Sequence, residues 1–155
     1  MHLQPVGGVV ELDSAWLDAC VALDLSSLNG LWTAGQWSRE LADSSRLCLG
    51  LVVAGDLVGV ACGWLVVDEL QISVVAVDPD RRRRGVGRQL LEALLKAAQG
   101  KGACQATLEV ASNNVAAVAL YTSLGFTTTG TRNGYYSDGR DALIKWKDLA
   151  PTRPA

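Results

Sequence analysis

The stretch of this chain best suited to chemistry runs from Val75 to Gly87 and reads V-A-V-D-P-D-R-R-R-R-G-V-G. An apolar, strand-forming run stops at Pro79, a basic loop follows, and Gly85 and Gly87 open into the helical pattern Arg88-Gln89-Leu90-Leu91-Glu92-Ala93-Leu94-Leu95. A junction of strand, loop and helix gathers unpaired backbone N–H groups and the positive end of the helix dipole at one point. Glycines there let an anion approach the main chain closely. The physical reading is a pyrophosphate cradle. Two common designs are excluded. A dinucleotide-binding turn wants G-x-G-x-x-G on a first strand, whereas Leu90 stands at the third glycine position and strands precede the motif. A nucleoside-triphosphate loop wants G-K-S or G-K-T, and the chain has neither.

The elements that must position this loop follow from pattern. Leu3 to Leu12 predicts an irregular edge strand. Asp13 caps a helix with Trp16, Leu17, Cys20, Val21 and Leu25 at helical spacing, closed by Asn29-Gly30. Thr33 and Gln36 have capping-box spacing for a second helix with Trp37 and Leu41 on its apolar face. Leu47–Val53 and Leu57–Val67, separated by Ala54-Gly55-Asp56, predict a hairpin, and Leu70–Val77 adds a third antiparallel strand. The helix after Gly87 ends near Gly100-Lys101-Gly102, and Ala106–Val110 then returns parallel to the strand ending at Val77, by the right-handed crossover rule. Ser112 or Asn113 caps a helix from Asn114 to Leu124. Strands at Phe126–Thr131 and Ala142–Trp146 finish the order, which makes a mixed α/β sheet with helices on its faces.

At 155 residues, 49% apolar, the chain fits one domain over 1–149, with a frayed tail at 150–155 that carries two prolines. A net charge of -2 with the arginines clustered argues against direct nucleic-acid binding. Cys20, Cys48, Cys62 and Cys104 are widely spaced, and His2 is the only imidazole, so the expectation is free thiols and no metal. The apolar runs are too interrupted for a membrane span and no leader pattern opens the chain, so a soluble, cytoplasmic protein with no membrane partner is expected.

A longer ordered pattern is present. Arg82-x-x-Gly85-x-Gly87 follows V-A-V-D-P directly, then come L-E-V ending at Val110, Asn114, and A-L-Y-T-S-L-G-F from Ala119 to Phe126. W-T-x-x-x-W spans Trp32–Trp37, V-D-E spans Val67–Glu69, and R-N-G-Y-Y at Arg132–Tyr136 precedes D-G-R-D-A at Asp138–Ala142. This set resembles the GNAT family of acetyl-CoA-dependent N-acetyltransferases, and within it the ribosomal-protein alanine acetyltransferase type. The resemblance runs from Trp32 to Leu143.

The resemblance implies a GNAT fold: an antiparallel N-terminal half, then a parallel pair of strands splayed into a cleft that takes acetyl-CoA. It implies that main-chain groups of Val75, Ala76 and Val77 hold the pantetheine arm and acetyl group. Arg82, Arg83, Arg84, Gly85, Val86, Gly87 and Arg88 would hold the pyrophosphate, with Asn114 as a further cofactor contact. Glu109 matches the family's base, acting through water. Tyr121 matches its acid, facing the departing sulfur and touching cofactor. Asp68, Glu69, Tyr135 and Tyr136 fall on the acceptor side. The implied acceptor is a protein N-terminal α-amine, that of ribosomal protein S18 in particular. A lysine side chain, a small amine, or a non-catalytic CoA-binding or ribosome-docking role are the alternatives. The chain departs from that type at Ala111, where an Arg is usual, at Asn113, where a Ser is usual, and by the extra Gly134 in R-N-G-Y-Y.

Overall fold

A computed structural model describes residues 7–82 and 84–149. The expectations for residues 3–6, Arg83 and the tail at 150–155 lie outside the described residues. Strands β2 (Arg46–Val53), β3 (Asp56–Val66) and β4 (Glu69–Val77) form the expected antiparallel run. Ala54 and Gly55, at φ 51° and 85°, make the left-handed two-residue turn whose twist suits a hairpin. Strand β1 (Gly8–Glu11) pairs antiparallel with β2 and lengthens this half to four strands.

Helix α3 (Val86–Gly100) then crosses over, and β5 (Gln105–Ala111) returns parallel to β4. Helix α4 (Val115–Ser123), β6 (Thr127–Arg132) and β7 (Ala142–Asp148) follow. The seven-stranded sheet has the order β1-β2-β3-β4-β5-β7-β6, with β7 antiparallel to both of its neighbours. The sequence pattern left that order open. It matters because β7 gives β5 a full partner from Gln105 to Ala111 and leaves its other edge to the cleft.

Each face of the sheet has its own core. Val86, Leu90, Leu91, Leu94, Leu95 and Ala98 of α3 pack on one face with Leu108, Val110, Tyr121 and Phe126. The opposite face is covered by α1 (Leu17–Leu28) and α2 (Ala34–Ala42), through Cys20, Leu23, Trp37 and Leu41 against Cys48, Val60, Cys62, Val74 and Ala76. All four cysteines are free thiols, and burial pushes that of Cys20 up to about 12.

Helix α1 departs from its expected face. Leu25 is solvent-exposed, and Asp24 takes the inward position at 1% exposure. Its carboxylate accepts the Leu31 N–H at 2.7 Å, the Trp32 N–H at 2.9 Å and the Trp37 indole N–H at 2.7 Å. A buried charge is tolerated when its lone pairs are met in this way. The result is a fixed loop between α1 and α2. Thr33 and Gln36 complete the expected capping box, with bonds of 2.8 and 3.1 Å. Replacing Asp24 by Ala strands one buried and two part-buried donors and is expected to lower unfolding free energy by about 3 kcal/mol in urea titration; a loss below about 1 kcal/mol would contradict this role.

Candidate active site

Strands β4 and β5 are paired only at Glu69–Gln105, Leu70–Ala106 and Gln71–Thr107. One more bond, from the Cys104 N–H to the Asp68 carbonyl at 2.7 Å, closes the ladder at its hairpin end. Beyond Gln71, β4 stays with β3 to Val77, while β5 stays with β7 to Ala111, so the sheet opens as a V. The facing edges carry backbone donors and acceptors that a sheet would otherwise pair. Within the gap lies a cleft of about 1300 Å³.

A bulge at Ser73 shapes one wall. Ile72 faces Gly63 and Val74 faces Cys62, so Ser73 has no opposite residue; its hydroxyl donates to the Cys62 carbonyl at 3.2 Å. The extra residue switches the alternation. Leu70 and Ile72 face the α3 core before it and Val75 and Val77 after it, while Val74 and Ala76 turn to the α1 side. Sequence reasoning missed this bulge, and a lone Ser in a Val-rich strand was the only available sign.

The loop after β4 is built as a turn and a cradle. Asp78 caps a short 3-10 turn at Pro79–Arg81, accepting from the Asp80 N–H at 2.9 Å. Gly85 holds φ 78°, a conformation costly for any residue with a Cβ, and α3 begins at Val86, within the loop rather than after Gly87. A Cβ on Gly87 would lie 3.2 Å from Leu120 Cδ2, so glycine lets the helix start seat against α4. The N–H groups of the first turn of α3 thus emerge beside the open end of the V. This is a donor set suited to a diphosphate.

The arginines divide. Arg82 donates to the Ser27 carbonyl at 3.2 Å and to the Val77 carbonyl at 3.4 Å, while Arg88 donates to Ser123 Oγ and ties α3 to α4. Arg84 is exposed. Ala76 is buried against the α1 face, which leaves only its backbone for a ligand.

Glu109, Asn114, Tyr121, Tyr135, Tyr136, Glu69 and Val75 all line the cleft, although the sequence spreads them from β4 to the segment before β7. Asp68 is not among its lining residues and holds the hairpin end through its carbonyl. Asn114 itself caps α4, accepting from the Ala117 N–H at 3.2 Å, where the pattern had pointed to Ser112 or Asn113. Its amide nitrogen is the group left for a ligand.

Glu109 and Tyr121 approach from opposite faces. Glu109 alternates with the buried Leu108 and Val110 and so points away from α4, with its side chain 30% exposed. Tyr121 sits in the α3 and α4 core, edge-on to Phe126 with ring centroids 5.9 Å apart, and reaches the cleft through the gap. Burial, with a smaller contribution from Tyr136, pushes its hydroxyl up to about 12, so it stays protonated throughout the neutral range. A hydrogen bond to Glu109, its nearby charge and partial burial raise Tyr135; burial and the Glu109 charge raise Tyr136.

The residue that sequence reasoning passed over is Arg132, which was noted only within a motif. Its Nε lies 3.4 Å from Glu109 Oε1, and its guanidinium stands 5.9 Å from the Tyr135 ring centroid. Register explains the meeting. Arg132 of β6 and Ala111 of β5 both pair with Ala142 of β7, so the long side chain crosses a small residue to reach Glu109. Without knowing that β7 lies between them, no spacing rule could have joined the two.

Comparison with known proteins agrees with this geometry. Residues 15–126 match the model of the acetyltransferase (GNAT) family. The [ribosomal protein bS18]-alanine N-acetyltransferase of Escherichia coli K12 is 40% identical over 115 residues, covering 70% of this chain and 78% of that protein. An uncharacterized protein of Mycobacterium leprae is 41% identical over 140 residues; the match takes in 86% of this chain and only 38% of the relative's length. The crystal structure of the E. coli ribosomal-protein-S18-alanine N-acetyltransferase superposes with a TM-score of 0.87 at 31% identity, covering 95% of this chain and 96% of that one. On its splayed sheet, its loop and these relatives, the chain belongs to the GNAT family of N-acetyltransferases.

Proposed function

We propose that this chain transfers acetyl from acetyl-CoA to the α-amine of a protein N-terminus, with the N-terminal alanine of ribosomal protein S18 as the first acceptor to test. The observation that carries the reading is the convergence of Glu109 and Tyr121, from opposite sheet faces, on the gap between β4 and β5. The unpaired strand edges and the N–H groups around Gly85 fit the cofactor, which supplies an activated thioester when bound. Val75 and Val77 offer main-chain partners along its arm. Arg84, Gly85, Val86 and Gly87 offer donors to its diphosphate, and Asn114 adds an amide at the mouth.

The chain's residues then have separable tasks. Glu109, through a water, accepts the proton that the amine loses as its nitrogen bonds to the acetyl carbon. Tyr121 donates a hydrogen bond to the sulfur as its bond to that carbon breaks. Complete transfer from a hydroxyl at about 12 to a thiol of about 8.5 is uphill, so the hydroxyl stabilises developing charge more than it delivers a proton. An α-amine, with a pKa of roughly 7.7 to 8.0, is about a quarter to two fifths neutral near pH 7.5; a lysine is neutral only about one part in a thousand. The single carboxylate of Glu109 suits the first acceptor better. Trp32, Trp64, Tyr135 and Tyr136 line the acceptor side with Glu69, and Asp68 would act there only if the hairpin moved toward the peptide.

Three outcomes test this. Alanyl peptides with a free α-amine should be acetylated and the same peptides with a blocked one should not; acetylation that survives blocking moves the acceptor to lysine. Glu109→Gln and Tyr121→Phe should each lower kcat by about a hundredfold with CoA affinity unchanged, and Tyr121→Phe should leave the pH profile of kcat unaltered below about pH 10, since the hydroxyl does not ionise there. Full activity in both variants would remove them from the reaction. Gly85→Ala should weaken CoA binding by about tenfold in calorimetry, because a Cβ disfavours φ 78° and turns the N–H groups away; an unchanged affinity would put the diphosphate elsewhere.

A further inference from the structure

Arg132 takes no part in the bond-making steps above, yet it lines the cleft in contact with Glu109. Its guanidinium lies 3.4 Å from Glu109 with 54% of its own side chain exposed, so it reaches inward to the carboxylate from a position where solvent is freely available. Tyr135 stands beside both: the Glu109 carboxylate is near enough to raise its hydroxyl, and Arg132 lies over its ring. Glu109 is therefore paired with a cation from β6, with Tyr135 of the following arm close by.

The charge of Arg132 is permanent, because guanidinium does not lose its proton in proteins. An acceptor arriving as ammonium would otherwise find in Glu109 a ready counter-ion, and the pair would be a stable dead end: the nitrogen lone pair that must attack is taken up by a proton. With a guanidinium already on the carboxylate, an ammonium meets like charge, while a neutral amine meets only a polar site.

We propose that Arg132 is a positioning residue for the transfer: as the fixed counter-cation of Glu109, it admits the acceptor as free amine and disfavours it as ammonium. This rests on the reading of Glu109 as the base. The other charged or titratable groups lining the cleft are Glu69 on β4, Tyr121 on α4, Tyr135, Tyr136 and Arg140 on the arm before β7, and Arg46 on β2. Each has a partner or state of its own. Glu69 accepts from Gln71 Nε2 at 3.2 Å, Arg140 pairs with Asp138 at 2.7 Å, Arg46 lies over the Trp64 ring at 4.2 Å, and the tyrosines are raised and neutral. Arg132 is the cation in contact with the base among the described residues.

The test compares charge states directly. Calorimetry at pH 6 on the CoA-loaded protein would use an alanyl peptide, cationic there, and its propionyl counterpart, in which hydrogen replaces the ammonium. Arg132→Gln should bind the cationic peptide at least tenfold more tightly relative to the neutral one than the wild type does, and its kcat at pH 6 should fall by a similar factor, so binding and turnover move in opposite senses. Arg132→Lys, which keeps the charge, should behave as wild type. Unchanged CoA affinity in each variant shows the fold intact. A ratio that stays put in Arg132→Gln, or one that moves equally in Arg132→Lys, overturns the proposal. If wild-type turnover falls on lysine instead, the α-amine reading fails separately, and a blocked lysyl peptide with its norleucine counterpart reads the same ratio.

Discussion

Everything at the site depends on a sheet that stops pairing in its own middle. Two adjacent parallel strands hold together through Glu69–Gln105, Leu70–Ala106 and Gln71–Thr107, then part while each remains bonded on its outer side. Backbone groups inside a fold are normally paired, so an interior edge left open is tolerable only where water or a ligand reaches it. The divided allegiance of the two strands makes this stable. β3 holds β4, β7 holds β5, and the separate cores on the two faces support each half without requiring the gap to close.

That opening also explains how Glu109 and Tyr121 can face one cleft from opposite sides of the sheet. A continuous sheet would bury Tyr121 behind β5 and leave Glu109 alone on the front. With the sheet parted, the tyrosine keeps its apolar surroundings, and hence its proton, while its hydroxyl reaches the same space as the carboxylate. The cleft wall at Leu31 and Trp32 is fixed by a different device. Asp24 binds the N–H groups of Leu31 and Trp32 and the Trp37 indole, so the loop beside the cleft is held by a buried charge. Arg82 links Val77 at the end of β4 to Ser27 in α1 through one side chain.

Local chemistry made much of this legible from residues alone. The Thr33–Gln36 box, the Ala54-Gly55 turn and the proline stop after β4 each specify their own geometry within a few residues, and the structure has them where the pattern put them; of the two glycines, Gly85 precedes α3 and Gly87 lies inside its first turn. Long-range pairing was less accessible. That β7 lies between β5 and β6, and so lets Arg132 cross to Glu109, is decided by the sheet as a whole. Asp24 reads in sequence as an ordinary polar helix residue, and the three donors that bury it come from seven to thirteen residues further on. The Ser73 bulge changes which side chains face the cleft without changing the composition of its strand. The Glu109 and Tyr121 roles came from resemblance to a family; spacing alone could not distinguish them from a surface carboxylate and a packed aromatic.

The measurement closest to the central claim is a crystal structure of the protein with acetyl-CoA. The account predicts the acetyl group and pantetheine arm lying between β4 and β5 beyond Gln71 and Thr107, the diphosphate on the N–H groups that lead into α3 at Gly85 to Gly87, and the sulfur within hydrogen-bonding reach of the Tyr121 hydroxyl. A cofactor bound outside the V, or strands β4 and β5 paired along their whole length with it present, would contradict the account.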